Sequence, residues 1–130
     1  MLFFFNGLHY KKWIIRLEAM LEDKQSETYG YLLHDDAESF NKGREEGKAL
    51  DLVNAKFRAF DLKGVNLNGL DLSGAYFKNA DLRGADLRDC KLEGCSFFNA
   101  KISGVYFPKN ISPEEITLSL MHGTRIRISG

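Results

Sequence analysis

The sequence is poor in the residue types that staple or interrupt small proteins. Its 130 residues include only two cysteines and two prolines. A secreted disulfide scaffold of this size usually has more cysteines. A structural zinc site needs four ligands, and the three histidines lie far along the chain from both cysteines. We therefore expect reduced thiols, no metal or other cofactor, and a cytoplasmic location.

The chain also lacks an excess of charge of either sign. It carries 18 basic and 18 acidic residues. Residues 1–49 have seven basic and nine acidic side chains, residues 50–109 have nine and seven, and residues 110–130 have two of each. A nucleic-acid-binding protein usually has a basic field, and a protein that mimics DNA has an acidic one. We therefore expect no nucleic acid partner.

Long hydrophobic runs are missing as well. The apolar stretch at residues 1–5 ends at Asn6 and Gly7, whereas a spanning helix needs about 20 apolar residues and a signal peptide needs a basic start and a longer apolar core. The segment Leu8–Glu22 instead has the period of an amphipathic helix. This helix can pack on the rest of the protein, dock a partner or lie on a membrane surface. Its candidate contact residues are Trp13, Ile14 and Leu17.

A five-residue repeat occupies residues 50–109, in twelve consecutive copies. The third residue of each five, here called the centre, is always large and apolar. The residue two positions earlier is always apolar and usually small, as in Ala80 and Cys90. The predicted core therefore consists of the twelve centres: Leu52, Phe57, Leu62, Leu67, Leu72, Phe77, Leu82, Leu87, Leu92, Phe97, Ile102 and Phe107.

A period of five fits neither a helix nor a plain strand, but it fits a short extended piece followed by a corner. Residues two apart in extended chain face the same side, so both apolar positions point inward. The last residue of each five is mostly Gly, Asn or, at position 89, Asp, which tolerate the positive φ of a corner. Phe57, Phe77 and Phe97 recur every four repeats. This spacing predicts a square coil with three turns.

The repeat resembles the pentapeptide-repeat family, most clearly at Ala80-Asp81-Leu82-Arg83-Gly84. The resemblance implies a mainly β fold, a right-handed quadrilateral β-helix of about three coils, and a bacterial source. It divides the chain into an N-terminal helical segment and cap at 1–49, the β-helix at 50–109, and a C-terminal capping helix and short strand at 110–130. The resemblance says little about function, because one fold serves many roles.

The N-terminal cap is predicted from a short motif. Asp35 or Asp36 can cap a helix over residues 37–46, which Gly47 can end. The segment Phe40-Asn41-Lys42-Gly43-Arg44 resembles the F/W-N-x-x-R helix that precedes the first coil in bacterial members of the family. We therefore expect Phe40 to plug the end of the core.

The C-terminal cap is predicted from helix-start signals. Ser112 is the expected N-cap, followed by a proline at the first helical position and by Glu115 as a capping-box residue. The helix should run from Pro113 to about residue 121, with Ile116 and Leu120 facing the last coil. Residues 124–128 then alternate like a strand.

Three outward aromatic residues are the candidate partner-binding residues on the coil: Tyr76, Phe98 and Tyr106. An exposed aromatic patch can mark an interface, although single exposed aromatics are normal and the N-terminal helix can cover them. We expect Cys90 and Cys95 to be buried, inert thiols. The outward aspartates are expected to form a solvated face of mixed charge.

These patterns favour a non-enzymatic scaffold for protein–protein interaction, whose partner is another protein or a second copy forming a homodimer. We find no nucleophile–base arrangement, phosphate-binding loop or metal-spaced histidines. Two alternatives remain open. One is a DNA-mimicking topoisomerase modulator. The other is a membrane-associated or secreted bacterial adaptor that uses the N-terminal amphipathic helix.

Overall fold

Residues twenty apart lie side by side over most of the repeat. A computed structural model describes Lys24 and residues 26–129. Its isolated parallel bridges all join residues twenty positions apart: Lys56 to Tyr76, Asp61 to Asp81, Asp71 to Lys91, Tyr76 to Ser96, Asp81 to Lys101, and Asp86 to Tyr106. Each twenty-residue turn is here called a coil. The described residues form isolated bridges rather than extended strands, so the coil is built of very short pieces.

Each coil has four sides, named here by their first centre. The centres of the Leu52, Phe57, Leu62 and Leu67 sides follow one another around the coil. Ten of the twelve centres are buried, with at most 2% of their surface exposed, whereas Ile102 and Phe107 of the third coil are half-buried. The Phe57, Phe77 and Phe97 rings stack, with neighbouring centroids 5.0 and 5.1 Å apart. The core therefore runs through the middle of the stack and thins toward its last coil.

The polar residues of the repeat lie at or near the corners of the coil, where they hydrogen-bond to the backbone or adopt the turn conformation. Where an aspartate precedes a centre, it accepts a hydrogen bond from the backbone N–H two residues on, as Asp71 does from Ser73 at 3.0 Å. Most corner residues have positive φ, including Ala59 at 61°, although this left-handed conformation is unfavourable for alanine. Asp89 does not share the positive φ that we expected of it. Its corner is the place where the repeat loses its regular form.

Three helices flank the coils: α1 spans Glu27–Leu33, α2 spans Ala37–Glu45 and α3 spans Pro113–His122. The N-cap of α2 is Asp36, whose side chain accepts from Ser39 N–H. Helix α1 has no counterpart among the sequence predictions. Its Tyr29 and Leu32 are buried, and the Tyr29 ring lies 6.0 Å from those of Phe57 and Phe60. The hydroxyl of Tyr29 donates to the carbonyl oxygen of Lys56 at 2.7 Å.

Helix α2 is bonded to the first coil through the motif singled out above. Phe40 is fully buried. The Asn41 side chain donates to the carbonyl oxygen of Gly64 at 2.9 Å and accepts from the N–H of Asn66 at 2.7 Å. Arg44 donates to the carbonyl oxygens of Asn66 and Asn68 at 2.8 and 2.9 Å. These bonds occupy polar backbone groups that the first coil would otherwise leave without a coil below.

Helix α3 begins and ends as its sequence indicates, with one difference. Ser112 accepts from the N–H of Glu115, and Gly123 ends the helix with φ 72°. The Glu115 carboxylate, however, does not return to the N-cap as a capping box would. It accepts from the backbone and guanidinium of Arg127 at 2.8–3.0 Å. The charged guanidinium offers a stronger bond than a neutral N–H.

The remaining predictions for the two ends have different outcomes. Ile116 and Leu120 are partly buried against the core. Residues 124–128 are assigned no strand, but Ile126 is buried and its backbone bonds to the third coil. Leu8–Glu22, with Trp13, Ile14 and Leu17, lies outside the described residues. No helix in the described part of the chain is long and apolar enough to cross a membrane.

Candidate interaction surface

The three outward aromatic residues have different surroundings. Tyr76 and Phe98 lie on the Phe57 side, and both are half-buried. The Phe98 ring lies against Gly123, where an added Cβ atom would be 3.5 Å away, so the end of α3 covers part of it. Tyr106 lies on the Leu67 side and exposes 58% of its surface. Of these three residues, Tyr106 is therefore the one most open to a partner.

Tyr106 forms a compact platform with an ion pair from the coil below. Arg88 donates to both carboxylate oxygens of Asp86, from Nε at 2.9 Å and from Nη2 at 2.7 Å. Its guanidinium carbon lies 4.8 Å from the centroid of the Tyr106 ring. The parallel bridge between Asp86 and Tyr106 sets this geometry, because it places the two coils in register. We call Asp86, Arg88 and Tyr106 the Arg88 platform.

The electrostatics of the platform follow from the pair. The hydrogen bonds from Arg88 lower the pKa of Asp86 to about 2. Asp86 in turn raises the pKa of Arg88, through the hydrogen bonds that it accepts. Both groups therefore keep their charges at neutral pH. The platform presents a fixed cation on an aromatic face rather than a group that exchanges protons.

An open cavity of about 590 Å³ adjoins the platform at the irregular corner. Phe107, Pro108 and Cys90 give it apolar walls, and Lys109 and Asp89 contribute charge. Arg88 belongs to both the cavity and the platform. The cavity lies where Asp89 departs from the corner conformation and where the chain leaves the third coil. This corner therefore offers a concave surface beside an exposed aromatic ring.

The neighbouring Leu62 side carries a similar ion pair in a different setting. Arg83 donates to Asp81 from Nε at 2.9 Å and from Nη2 at 2.7 Å. The Nζ atom of Lys63, on the coil below, lies 3.7 Å from Oδ2 of the same carboxylate. The hydrogen bonds from Arg83 hold the pKa of Asp81 far below its usual range. None of the described ring contacts involves Arg83. The carboxylates on this side therefore form a paired, charged face.

The two cysteines are buried in the coil and do not form a disulfide. The Cys90 thiol donates to the carbonyl oxygen of Leu67 at 3.1 Å, and the Cys95 thiol donates to that of Leu72 at 2.9 Å. Burial raises the pKa of Cys95 to about 12 and also raises that of Cys90. A thiol is a weak nucleophile when its pKa is high, so neither side chain is set up for redox or covalent chemistry at neutral pH.

Comparison with known proteins identifies the repeat. A family model described as pentapeptide repeats matches residues 51–89 and 75–108, in eight copies. No curated protein and no solved structure matches the chain. The matched residues include the whole Arg88 platform, so the platform is built on the repeat itself rather than on the flanking helices.

Proposed function

Because this chain belongs to the pentapeptide-repeat family, we propose that it is a non-enzymatic scaffold that binds a protein partner through the Arg88 platform. The observation that carries this proposal is the Tyr106 ring, which is 58% exposed and faces the Arg88 guanidinium that Asp86 holds in place. Tyrosine and arginine are the residue types most often found at energetic centres of interfaces. A side chain already fixed by its neighbours loses little entropy on binding.

The fold suits this role. The family's repeats imply a right-handed β-helix, and we infer that α1 and α2 cap its first coil and that α3 caps part of its last. Stacked coils hold outward side chains at a fixed spacing, which gives a rigid contact surface. The cavity beside the platform adds a concave region with apolar walls at Phe107 and Pro108. A partner residue with an apolar side chain fits there while a neighbouring acidic group faces Arg88 or Lys109.

A non-enzymatic role is supported by the cause and direction of the pKa shifts on this surface. The lowered pKa values of Asp81 and Asp86 arise chiefly from hydrogen bonds donated by Arg83 and Arg88. Catalytic acids and bases usually have pKa values shifted toward the working pH, whereas these shifts lead away from it. We also propose a cytoplasmic location, because Cys90 and Cys95 are free thiols, which a reducing compartment maintains.

Site-specific crosslinking in the source cells tests the proposal. A photo-crosslinking phenylalanine derivative replaces Tyr106, which keeps an aromatic ring beside Arg88, and the captured proteins are identified and quantified for the otherwise wild-type protein, Arg88→Ala and Arg83→Ala. Arg83 is a matched control, because it pairs with Asp81 at the same distances without an aromatic ring beneath it. We expect one dominant partner, reduced at least fivefold by Arg88→Ala and unchanged by Arg83→Ala.

Two results would overturn the proposal. Equal loss with both arginine variants would mean that general surface charge, rather than the platform, governs the contact. Absence of any crosslink from position 106, with the protein folded and expressed, would remove the platform from the interface. A topoisomerase as the partner would instead support the DNA-mimic alternative, and membrane lipids would support the adaptor alternative.

A further inference from the structure

Backbone groups along most of the upper edge of the first and second coils bond to the coil above. In the second coil, the N–H groups of Leu82, Gly84 and Leu87 donate to the carbonyl oxygens of Lys101, Ser103 and Tyr106 at 2.8–2.9 Å. In return, the carbonyl oxygens of Ala80 and Ala85 accept from N–H groups of the third coil. Over the Leu62 and Leu67 sides, one coil thus offers three donors and two acceptors to the next.

Two sides of the third coil have partners for all or part of their upper edge. At the corner between the Leu52 and Phe57 sides, Gly94 N–H donates to the carbonyl oxygen of Ile126, and Ile126 N–H donates to that of Cys95, both at 2.8 Å. On the Phe57 side, Phe97 N–H donates to the Ser119 hydroxyl at 2.9 Å, and Asn99 N–H donates to the carbonyl oxygen of Leu120 at 3.0 Å. The chain's own tail and helix α3 thus take the place of a fourth coil at the end of the Leu52 side and along the Phe57 side.

On the other two sides, no described residue takes the place of a fourth coil. Within Lys24 and residues 26–129, no acceptor is bonded to the N–H groups of Ile102, Gly104 and Phe107, and no donor reaches the carbonyl oxygens of Ala100 and Val105. The centres also show it: Ile102 and Phe107 are half-buried, whereas Leu82 and Leu87 directly below them are fully buried. We call the backbone of residues 100–107 the open edge.

We propose that the open edge binds an extended peptide segment of a partner protein, which adds to the third coil as part of a fourth. Sheet edges with unpaired N–H and C=O groups are templates for strand addition, in which main-chain bonds give affinity and alternate side chains give specificity. The inference rests on the proposed function, since it names the kind of segment that such a scaffold would hold, but it uses a different surface.

The tail shows what kind of residue the top of the third coil can bind. Ile126 sits at the corner between the Leu52 and Phe57 sides as a β-branched residue, 2% exposed, with both of its backbone groups bonded to the third coil. A partner segment on the open edge would continue that interface around the next corners. It would place large apolar side chains over Ile102 and Phe107, because stacked positions in the coil share one core column.

Charge further defines the partner segment. Residues 100–109 contain Lys101 and Lys109 and have no acidic residue. In the coils below, Lys101 continues an outward column of Asp61 and Asp81. A segment with an acidic residue just before its apolar centre would place a carboxylate next to Lys101. The chemistry that fits is therefore an extended, acidic segment with the pattern small apolar, acidic, large apolar.

The probe for this proposal is a peptide with the sequence of residues 80–89, which has that pattern twice and lies directly below the open edge in the intact protein. The full chain is titrated with it and followed by amide NMR and hydrogen exchange. We expect saturable binding, with at least tenfold slower exchange at Ile102, Gly104 and Phe107. A control peptide with lysine at both outward aspartate positions should bind at least fivefold more weakly.

Two protein variants complete the test. Lys101→Glu should weaken peptide binding at least fivefold, because it opposes the acidic residues of the peptide. Lys91→Glu is the matched control and should change binding less than twofold, since Lys91 also sits above an aspartate, Asp71, but lies outside the open edge, on a side whose centre Leu92 is buried. Both residues are exposed, so both variants should fold.

Three outcomes would overturn the proposal: no effect of the peptide on the three amides, equal weakening by the two variants, or protection of the same amides by self-association without peptide. The last would make the open edge a contact between two copies of this chain. The proposed function would stand apart from any of these, because the crosslinking at Tyr106 and the Arg88→Ala variant report on the outward platform.

Discussion

The ring of Phe77 lies on that of Phe97, with the two centroids 5.1 Å apart and the planes 4° from parallel. Phe77 has the same relation to Phe57 below it, at 5.0 Å and 13°. All three rings are fully buried. Phe77 therefore contacts the first and third coils at once, which makes it the most sensitive single position of the core on this side.

We expect Phe77→Ala to lower the free energy of unfolding by about 3–5 kcal/mol, the usual cost of removing a buried aromatic side chain. Phe77→Leu keeps most of the volume and should cost about 1.5 kcal/mol or less. Urea denaturation measures both. Phe77→Asp would bury a charge without a partner and should prevent folding. A cooperatively folded Phe77→Asp protein would mean that the assigned core is wrong.

Asn41 should be needed to seat helix α2 on the first coil. Its side chain bonds to one carbonyl oxygen and one N–H of the coil, and loss of such bonds costs about 1 kcal/mol or more. We expect Asn41→Ala to lower the urea midpoint accordingly, with faster amide exchange at Asn66. Lys42→Ala, at an exposed position of the same helix, is the control. If the two variants have equal stability, the bonds of Asn41 contribute nothing.

Ala59→Gly should stabilise the protein. Ala59 has φ 61°, and the left-handed region costs an L-residue roughly 1–2 kcal/mol that glycine does not incur. After the greater flexibility of glycine in the unfolded chain is subtracted, a gain of about 0.5–1 kcal/mol remains. Ala85→Gly, at a position without positive φ, should instead destabilise. Thermal and urea unfolding measure both, and a loss of stability in Ala59→Gly would contradict the corner geometry.

The pKa of Asp86 gives a pH test of the platform. Hydrogen bonds from Arg88 lower it from 3.8 to about 2 in the folded protein. A carboxyl group whose pKa falls on folding contributes stability above its unfolded pKa of about 4, and that contribution is lost as the pH falls toward about 2. An NMR titration of the Asp86 carboxyl carbon should therefore have its midpoint near 2.

Arg88→Gln should move that midpoint up toward the ordinary value, and Arg83→Gln should leave it unchanged, because Arg83 pairs with Asp81. High salt should also raise the midpoint in the wild-type protein, since the pair is partly exposed. A wild-type midpoint close to 3.8 would mean that Arg88 does not hold Asp86 as described.

The N-terminal helices show where local pattern stops being sufficient. The motif at residues 40–44 predicted a buried Phe40 through its resemblance to the F/W-N-x-x-R helix that precedes the first coil in the family, and Phe40 is buried. Helix α1 was not predicted, since it has only seven residues and one of them is a glycine, which disfavours a helix. Its Tyr29 is buried by contact with Phe57 and Phe60, about thirty residues away in sequence. Only the folded chain brings these rings together.

The sequence alone determined the repeat and its inward residues, because a period of five with two apolar positions permits one way of burying them. It also determined the start and end of α3, through Ser112 and Gly123. The tertiary structure decided the surroundings of the outward residues. The register of coils twenty residues apart placed Arg88 against Tyr106, and the paths of α3 and the tail left the open edge without a partner among the described residues. Such contacts depend on chain geometry between distant residues, which no local pattern encodes.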